Sequence, residues 1–189
     1  MRNADADADE TLLCRVAAGD AAAFRQLTAR HATRVLALAR RMLDDQAQAE
    51  DMVQEVFVRL WQHAAQWQPG RAQLATWLHR VTVNRCLNHL QRVSSRTVAL
   101  DDEALAATAA PDSVEDDASA AERQRLVRAA VAQLPARQRA AVALLYTAGA
   151  SVAEASAALD LSVKATESLL VRARRSLRAR LSAVLEVEP

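Results

Sequence analysis

Between Ala99 and Glu122 the chain reads ALDDEALAATAAPDSVEDDASAAE, with eight acids, no base and no sustained apolar period. A stretch of this kind repels itself and has too little apolar surface to offset the entropy of ordering, so it is expected to be a flexible tether. Any core must then come from the segments on either side. Apolar content is 51% but aromatic content only 3%, and three Gly and four Pro interrupt the whole chain, so Ala, Val and Leu dominate and helices are favoured throughout. No strand alternation is present. The expectation is an all-α fold of two small helical domains, over residues 21–96 and 123–186, joined by an acidic linker at 97–122 and preceded at 1–20 by a tail with a short helix near Thr11 to Ala18.

Three strong helical patterns precede the linker. Phe24, Leu27, His31, Val35, Leu38 and Met42 form one stripe. In the second pattern, DMVQEVFVRLWQHAAQW from Asp51, the residues Met52, Val53, Val56, Phe57, Leu60, Trp61 and Ala64 line one face, while Asp51, Gln54, Glu55 and Arg59 gather opposite. By residue type alone that polar face reads as solvated surface. The third runs from about Gln73 to Gln91, with Leu74, Leu78, Val81, Leu87 and Leu90 available for a core, and Pro69-Gly70 in QWQPGRA marks a turn before it.

After the linker the pattern resumes, stops at Pro135, restarts and stops again at Gly149. Ser151 and Glu154 make a capping box, LDLS at Leu159 to Ser162 breaks the helix they start, and Ser162 can cap the next. A short capped helix, a tight turn and a long basic helix make a helix-turn-helix.

Net charge is +1, a total that conceals two basic blocks. Arg71 to Arg96 holds five arginines and no acid; Ser162 to Leu181 holds six Lys or Arg against Glu167 alone. Both are candidate polyanion surfaces. In the last helix Lys164, Ser168, Arg172 and Arg175 follow at three- or four-residue spacing, with Val163, Leu169, Leu170, Ala173 and Leu177 as the apolar side. Those donors suit base edges and phosphates in a major groove. Cations complementing a helix dipole are the plainer alternative. In the third helix of the first domain Trp77, Arg80, Asn84, Asn88 and Arg92 share a stripe of ring, cation and amide suited to unpaired bases. Core packing of Trp77 and solvation of the amides are the competing readings.

His31, His63, His79 and His89 have no zinc spacing, and Cys14 and Cys86 are isolated, so no metal, disulfide or cofactor is expected. No nucleophile-base pairing or phosphate loop points to an enzyme. No signal peptide pattern or bilayer-length apolar run occurs, and the expected location is the cytoplasm.

AEDMVQEVFVRLWQHAAQWQPGRAQLATWLHRVTVNRCLNHLQR closely resembles region 2 of bacterial sigma factors, and LPARQRAAVALLYTAGASVAEASAALDLSVKATESLLVRARRSLRARL resembles their region 4. With only a short tether between them, the chain is similar to the extracytoplasmic-function group of the sigma-70 family over about Ala21 to Leu181. The resemblance implies a promoter-specificity subunit of RNA polymerase. Asp51, Gln54 and Glu55 would dock on the clamp helices of the largest polymerase subunit. The QWQPGRA turn with Arg71, together with Trp77, Arg80, Asn84 and Asn88, would read a single-stranded −10 element with one base flipped out. Lys164, Ser168, Arg172 and Arg175 would read a duplex −35 element. An anti-sigma factor, in the membrane or free of it, is a further implied partner, the chain itself not being inserted in the membrane.

Three positions depart from the family pattern. Leu78 and His79 follow Trp77 where primary sigma factors continue an aromatic run, so melting is expected to need near-ideal promoters. Asp160 stands where glycine is common, and Thr166 replaces an aliphatic residue. Two rival functions fit the bare helix-turn-helix: a one-component transcription regulator, and an adaptor that binds only proteins. A sigma factor needs two unlike readers on asymmetric DNA, whereas a dimeric regulator needs one and a palindrome.

Overall fold

The computed structural model describes residues 4–43, 45–70, 73–98 and 118–185, with side-chain surroundings for 9–43, 45–70, 73–94 and 122–182. The described residues form helices α1 (Ala4–Ala17), α2 (Ala21–Leu43), α3 (Gln46–His63), α4 (Leu74–Val98), α5 (Ala118–Ala132), α6 (Ala136–Tyr146), α7 (Val152–Leu159) and α8 (Val163–Leu185), with a single 3₁₀ turn at Ala64–Gln66. Most of the expected tether, 99–117, lies outside the described residues. Its last part is already helix, because α5 starts at Ala118 rather than after Glu122.

Caps set several of the boundaries. Asp20 accepts from the Ala22 and Ala23 amides at 2.8 and 3.0 Å, and Asp45 accepts from Gln48 N–H at 2.9 Å, satisfying donors that a helix start leaves open. Pro135 precedes α6, where a missing N–H costs nothing. Ser151 and Glu154 form the expected capping box.

The first domain is built on the three stripes. Leu27, Val35, Val56, Phe57, Leu60, Leu74 and Leu78 are buried together, and α1 closes this cluster with Leu12, Leu13 and Val16. The N-terminal segment is therefore a structural helix beginning at Ala4, longer than the one expected near Thr11 to Ala18. Asp9 explains its hold on α2: it is buried, accepts from Arg30, and lies 2.8 Å from His31 Nε2.

The second domain does not stand apart. A continuous apolar cluster joins Leu38 and Met42 of α2 and Val83 and Cys86 of α4 to Leu134, Leu144, Ala155, Ala158 and Leu170 from the other side of the tether. Arg139 of α6 donates to Met42 O at 2.7 Å, to Leu134 O at 3.3 Å and to Ala132 O, so one guanidinium spans the C-terminal ends of α2 and α5. In this closed packing the two domains share one apolar cluster rather than standing apart on the tether. The physical reason lies in α6, where Ala140, Ala141, Val142, Ala143 and Leu144 are all buried. A helix apolar all round must be covered on every side, and α7 and α8 alone do not surround it.

Between α7 and α8, Asp160 takes φ 56 and ψ 47, the left-handed region that a glycine would enter freely. The turn is thus made without glycine, since a short polar side chain tolerates this conformation. Asp160→Gly is expected to preserve the fold, whereas Asp160→Val should lower stability by about 1–2 kcal/mol, the cost of a left-handed residue with a branched side chain. Denaturant unfolding of the two variants measures the difference.

Candidate functional site

On α3, Asp51, Gln54 and Glu55 are exposed, and they line a shallow depression with Val58, Arg59, Gln62, His63 and Arg85. Only one of the three is held: Arg85 of α4 approaches Glu55 at 3.0 Å. Met52, Val53, Val56, Phe57 and Leu60 turn inward as their spacing requires, but Trp61 stays 40% exposed, its ring edge-on to Phe24 at 5.1 Å. Val58 is the one apolar side chain in its lining, and a depression this polar and shallow suits the surface of a partner protein better than a small ligand, whose sites are concave and mostly apolar.

On α4, Arg80, Asn84 and Asn88 are exposed, while Trp77 is half-buried against the first-domain cluster, its ring edge-on to Trp67 at 6.3 Å and 79°. Trp77 thus serves as packing for the preceding turn as well as flanking the polar stripe. Trp67 N–H closes the 3₁₀ turn on Ala64 O at 3.1 Å, and Gly70 then reverses the chain at φ 79. The Trp67 indole N–H is buried and has no partner among the described residues. Arg71 lies outside the described residues.

His79 is buried at the joint between the domains, where Glu154 of α7 and His31 and Arg34 of α2 act on it. Burial lowers its pKa from 6.5, opposed by the Glu154 carboxylate across the joint and aided by His31 and Arg34 of α2. Glu154 is itself held below the usual carboxylate range by hydrogen bonds from Ser151.

On α8, Lys164, Ser168, Arg172 and Arg175 are all exposed on the outward side, opposite Thr166, Leu170 and Ala173. Val163, expected on the apolar side, is instead 48% exposed at the helix start. Val171, two turns on from Lys164, is 55% exposed in the middle of the polar stripe, a position its apolar character does not suggest. The two helices of the motif are fixed by a buried pair: Ser156 Oγ donates to Thr166 Oγ1 at 2.9 Å. Thr166 is fully buried, so the departure from an aliphatic residue replaces apolar contact with a hydrogen bond and leaves the outward face in register. Tyr146 and Arg174 add a second brace, with the guanidinium donating to the Tyr146 hydroxyl at 2.8 Å.

The described residues define an all-α protein with a helix-turn-helix, α7 and α8, after the tether and an exposed polar face on α3 before it. Residues 27–96 match the family described as Sigma-70 region 2, and residues 124–177 match Sigma-70, region 4. RNA polymerase sigma factor CnrH of Cupriavidus metallidurans is 35% identical over 184 residues, covering 94% of this chain and 96% of that protein. ECF RNA polymerase sigma factor SigM of Mycobacterium tuberculosis is 32% identical over 169 residues, or 89% of this chain and 82% of the relative. The structure of CnrH in complex with the cytosolic domain of CnrY superposes with a TM-score of 0.70 at 30% identity, covering 94% of this chain and 99% of that one. Sigma factor RpoE, in complex with the anti-sigma factor NepR from Bartonella quintana, shares the fold with a TM-score of 0.71 at 21% identity over 88% of this chain and 98% of that one. The chain belongs to the extracytoplasmic-function group of the sigma-70 family.

Proposed function

We propose that this sigma factor docks on core RNA polymerase through Asp51, Gln54 and Glu55, with the clamp helices of the largest subunit as the contact. It reads an exposed −10 strand with Trp77, Arg80, Asn84, Asn88 and the turn containing Arg71. It reads duplex −35 DNA with Lys164, Ser168, Arg172 and Arg175. It is a specificity subunit rather than an enzyme, and it works in the cytoplasm; among the described residues no helix is long and apolar enough to cross a membrane.

The observation that carries this reading is the pairing of two unlike exposed stripes, Arg80-Asn84-Asn88 on α4 and Lys164-Ser168-Arg172-Arg175 on α8, on one asymmetric chain. A one-component regulator would need only the second. The amide-rich stripe beside a turn suits bases that have left the helix, and the cationic stripe on a recognition helix suits base edges and phosphates. The closed packing supports an anti-sigma partner as well. It leaves all three polymerase-docking residues and both stripes exposed, so silencing them requires a second protein that covers them.

Run-off transcription with purified core polymerase on genomic fragments tests the proposal. Specific transcripts are expected only when the protein is added, from promoters sharing two separated elements. DNA binding by the protein alone to palindromic sites, with no transcripts, would instead establish the one-component regulator.

A further inference from the structure

Helix α1 lies before the segment that matches Sigma-70 region 2, which begins at residue 27. It nevertheless reaches the turn that precedes α4. Glu10 Oε1 accepts from the Gly70 backbone N–H at 2.9 Å, across sixty positions of sequence. One residue earlier, buried Asp9 is fixed by Arg30 and His31, and Leu12, Leu13 and Val16 are buried in the first-domain cluster. Glu10 is therefore carried by a helix locked on both sides of it. At the other end of the turn Trp67 is held by the Ala64 carbonyl and by the Trp77 ring.

Gly70 is the point at which such support matters. Its φ of 79 lets the chain turn back, and glycine has the greatest freedom to leave that conformation. Trp67 anchors the start of the turn and Pro69 fixes its own φ, but Gly70 has no side chain with which to set its own conformation. A carboxylate on the Gly70 N–H selects the shape from outside, through a charge-assisted hydrogen bond stronger than a neutral one. The buried, unpartnered Trp67 indole N–H in the same turn is a donor the fold has not used.

We propose that α1 is a brace for the −10-reading turn and that Glu10 is its positioning residue, holding Gly70 so that the turn is preformed for an unpaired base. The proposal rests on the −10 reading of this turn given above. Glu10 touches no DNA in this role; it lowers the ordering cost that binding would otherwise carry.

The test uses holoenzyme reconstituted with core polymerase and a labelled single-stranded oligonucleotide bearing the non-template −10 sequence of a promoter recovered by run-off transcription. Glu10→Ala is expected to weaken oligonucleotide binding about tenfold, the scale of one charge-assisted hydrogen bond. Glu10→Gln, which keeps an acceptor, should recover most of the loss. Duplex −35 binding by the full chain should be the same for both variants, and the Gly70 amide should exchange with solvent faster in Glu10→Ala than in Glu10→Gln. Asn84→Ala is the control for the underlying reading. If Asn84→Ala weakens binding while Glu10→Ala matches wild type, the brace is overturned and the −10 reading stands. Equal losses in Glu10→Ala and Glu10→Gln would overturn the hydrogen-bond role. If Asn84→Ala and both Glu10 variants all bind as wild type, the −10 reading falls and takes the brace with it.

Discussion

Arg139→Met opens the joint between the two domains. The guanidinium donates to Met42 O in the first domain and to Ala132 O and Leu134 O in the second, and methionine keeps an unbranched stem while removing every donor. Removing the donors leaves carbonyls at two helix ends without this partner, each costing on the order of 1–3 kcal/mol if it stays dry. These carbonyls are only partly buried, and opening returns them to water, so the shift toward the open form is about 2 kcal/mol, or about thirtyfold. Cys86 reports it. The thiol is in the shared cluster, where burial pushes its pKa up to about 12, and it should be nearly inert to alkylation; Cys14 is exposed and serves as the internal standard. The variant should alkylate Cys86 about thirtyfold faster at unchanged helicity. An unchanged Cys86 rate in a folded variant would mean that apolar contacts alone hold the joint.

Acid is expected to act at the same joint. His79 is buried and its pKa is lowered from 6.5, chiefly by burial, with Glu154 of α7 pulling the other way and His31 and Arg34 of α2 adding to the depression. The closed form therefore refuses a proton that a hydrated His79 would accept. Its stability is full above pH 6.5 and declines as pH falls below that value toward the depressed one. His79→Gln should remove this part of the pH dependence of Cys86 labelling.

How far the sequence disclosed this arrangement depends on the kind of signal. Stripes at helical spacing and side-chain caps are local, and they were readable: Ser151 with Glu154, Pro135 and the break at Asp160 all fall where helices start or stop. The outward face of α8 followed from the same periodicity. What spacing does not contain is the partner of an apolar face. The run Ala140 to Leu144 carries the sign of a helix covered on all sides, but not the information that α2 and α4 provide the cover across the tether. Four of the six residues of DADADE are acids, a residue type that is mostly exposed, so composition gives no sign that this segment packs. Asp9 and Glu10 owe their roles to Arg30, His31 and Gly70, which are distant in sequence. Val171 is the converse case, an apolar residue that helical phase, rather than type, places outward.

Asp51→Arg combined with Gln54→Arg is the variant expected to have the largest effect on function. The obvious choice of Glu55 is less clean, because Glu55 already pairs with Arg85 at 3.0 Å and an arginine there would set two guanidiniums against each other inside the domain. Asp51 and Gln54 are exposed and take no part in that pair, so reversing them changes the docking face and leaves the α3–α4 contact intact. A partner surface that accepts an acid and an amide is basic or rich in donors, and two new cations facing it suffer like-charge repulsion of several kcal/mol. Even a net loss of about 3 kcal/mol weakens core polymerase binding by more than about 100-fold. Raising salt should weaken the wild-type complex and narrow the gap between the two proteins, since the added repulsion is screened within about 10 Å at 0.1 M. Duplex −35 binding by α8 should be untouched, because the substitutions lie on α3 in the other domain. A pull-down titration with core polymerase at two salt concentrations, with thermal unfolding as the check on folding, decides the matter: wild-type affinity in a folded double variant would return this face to plain solvated surface.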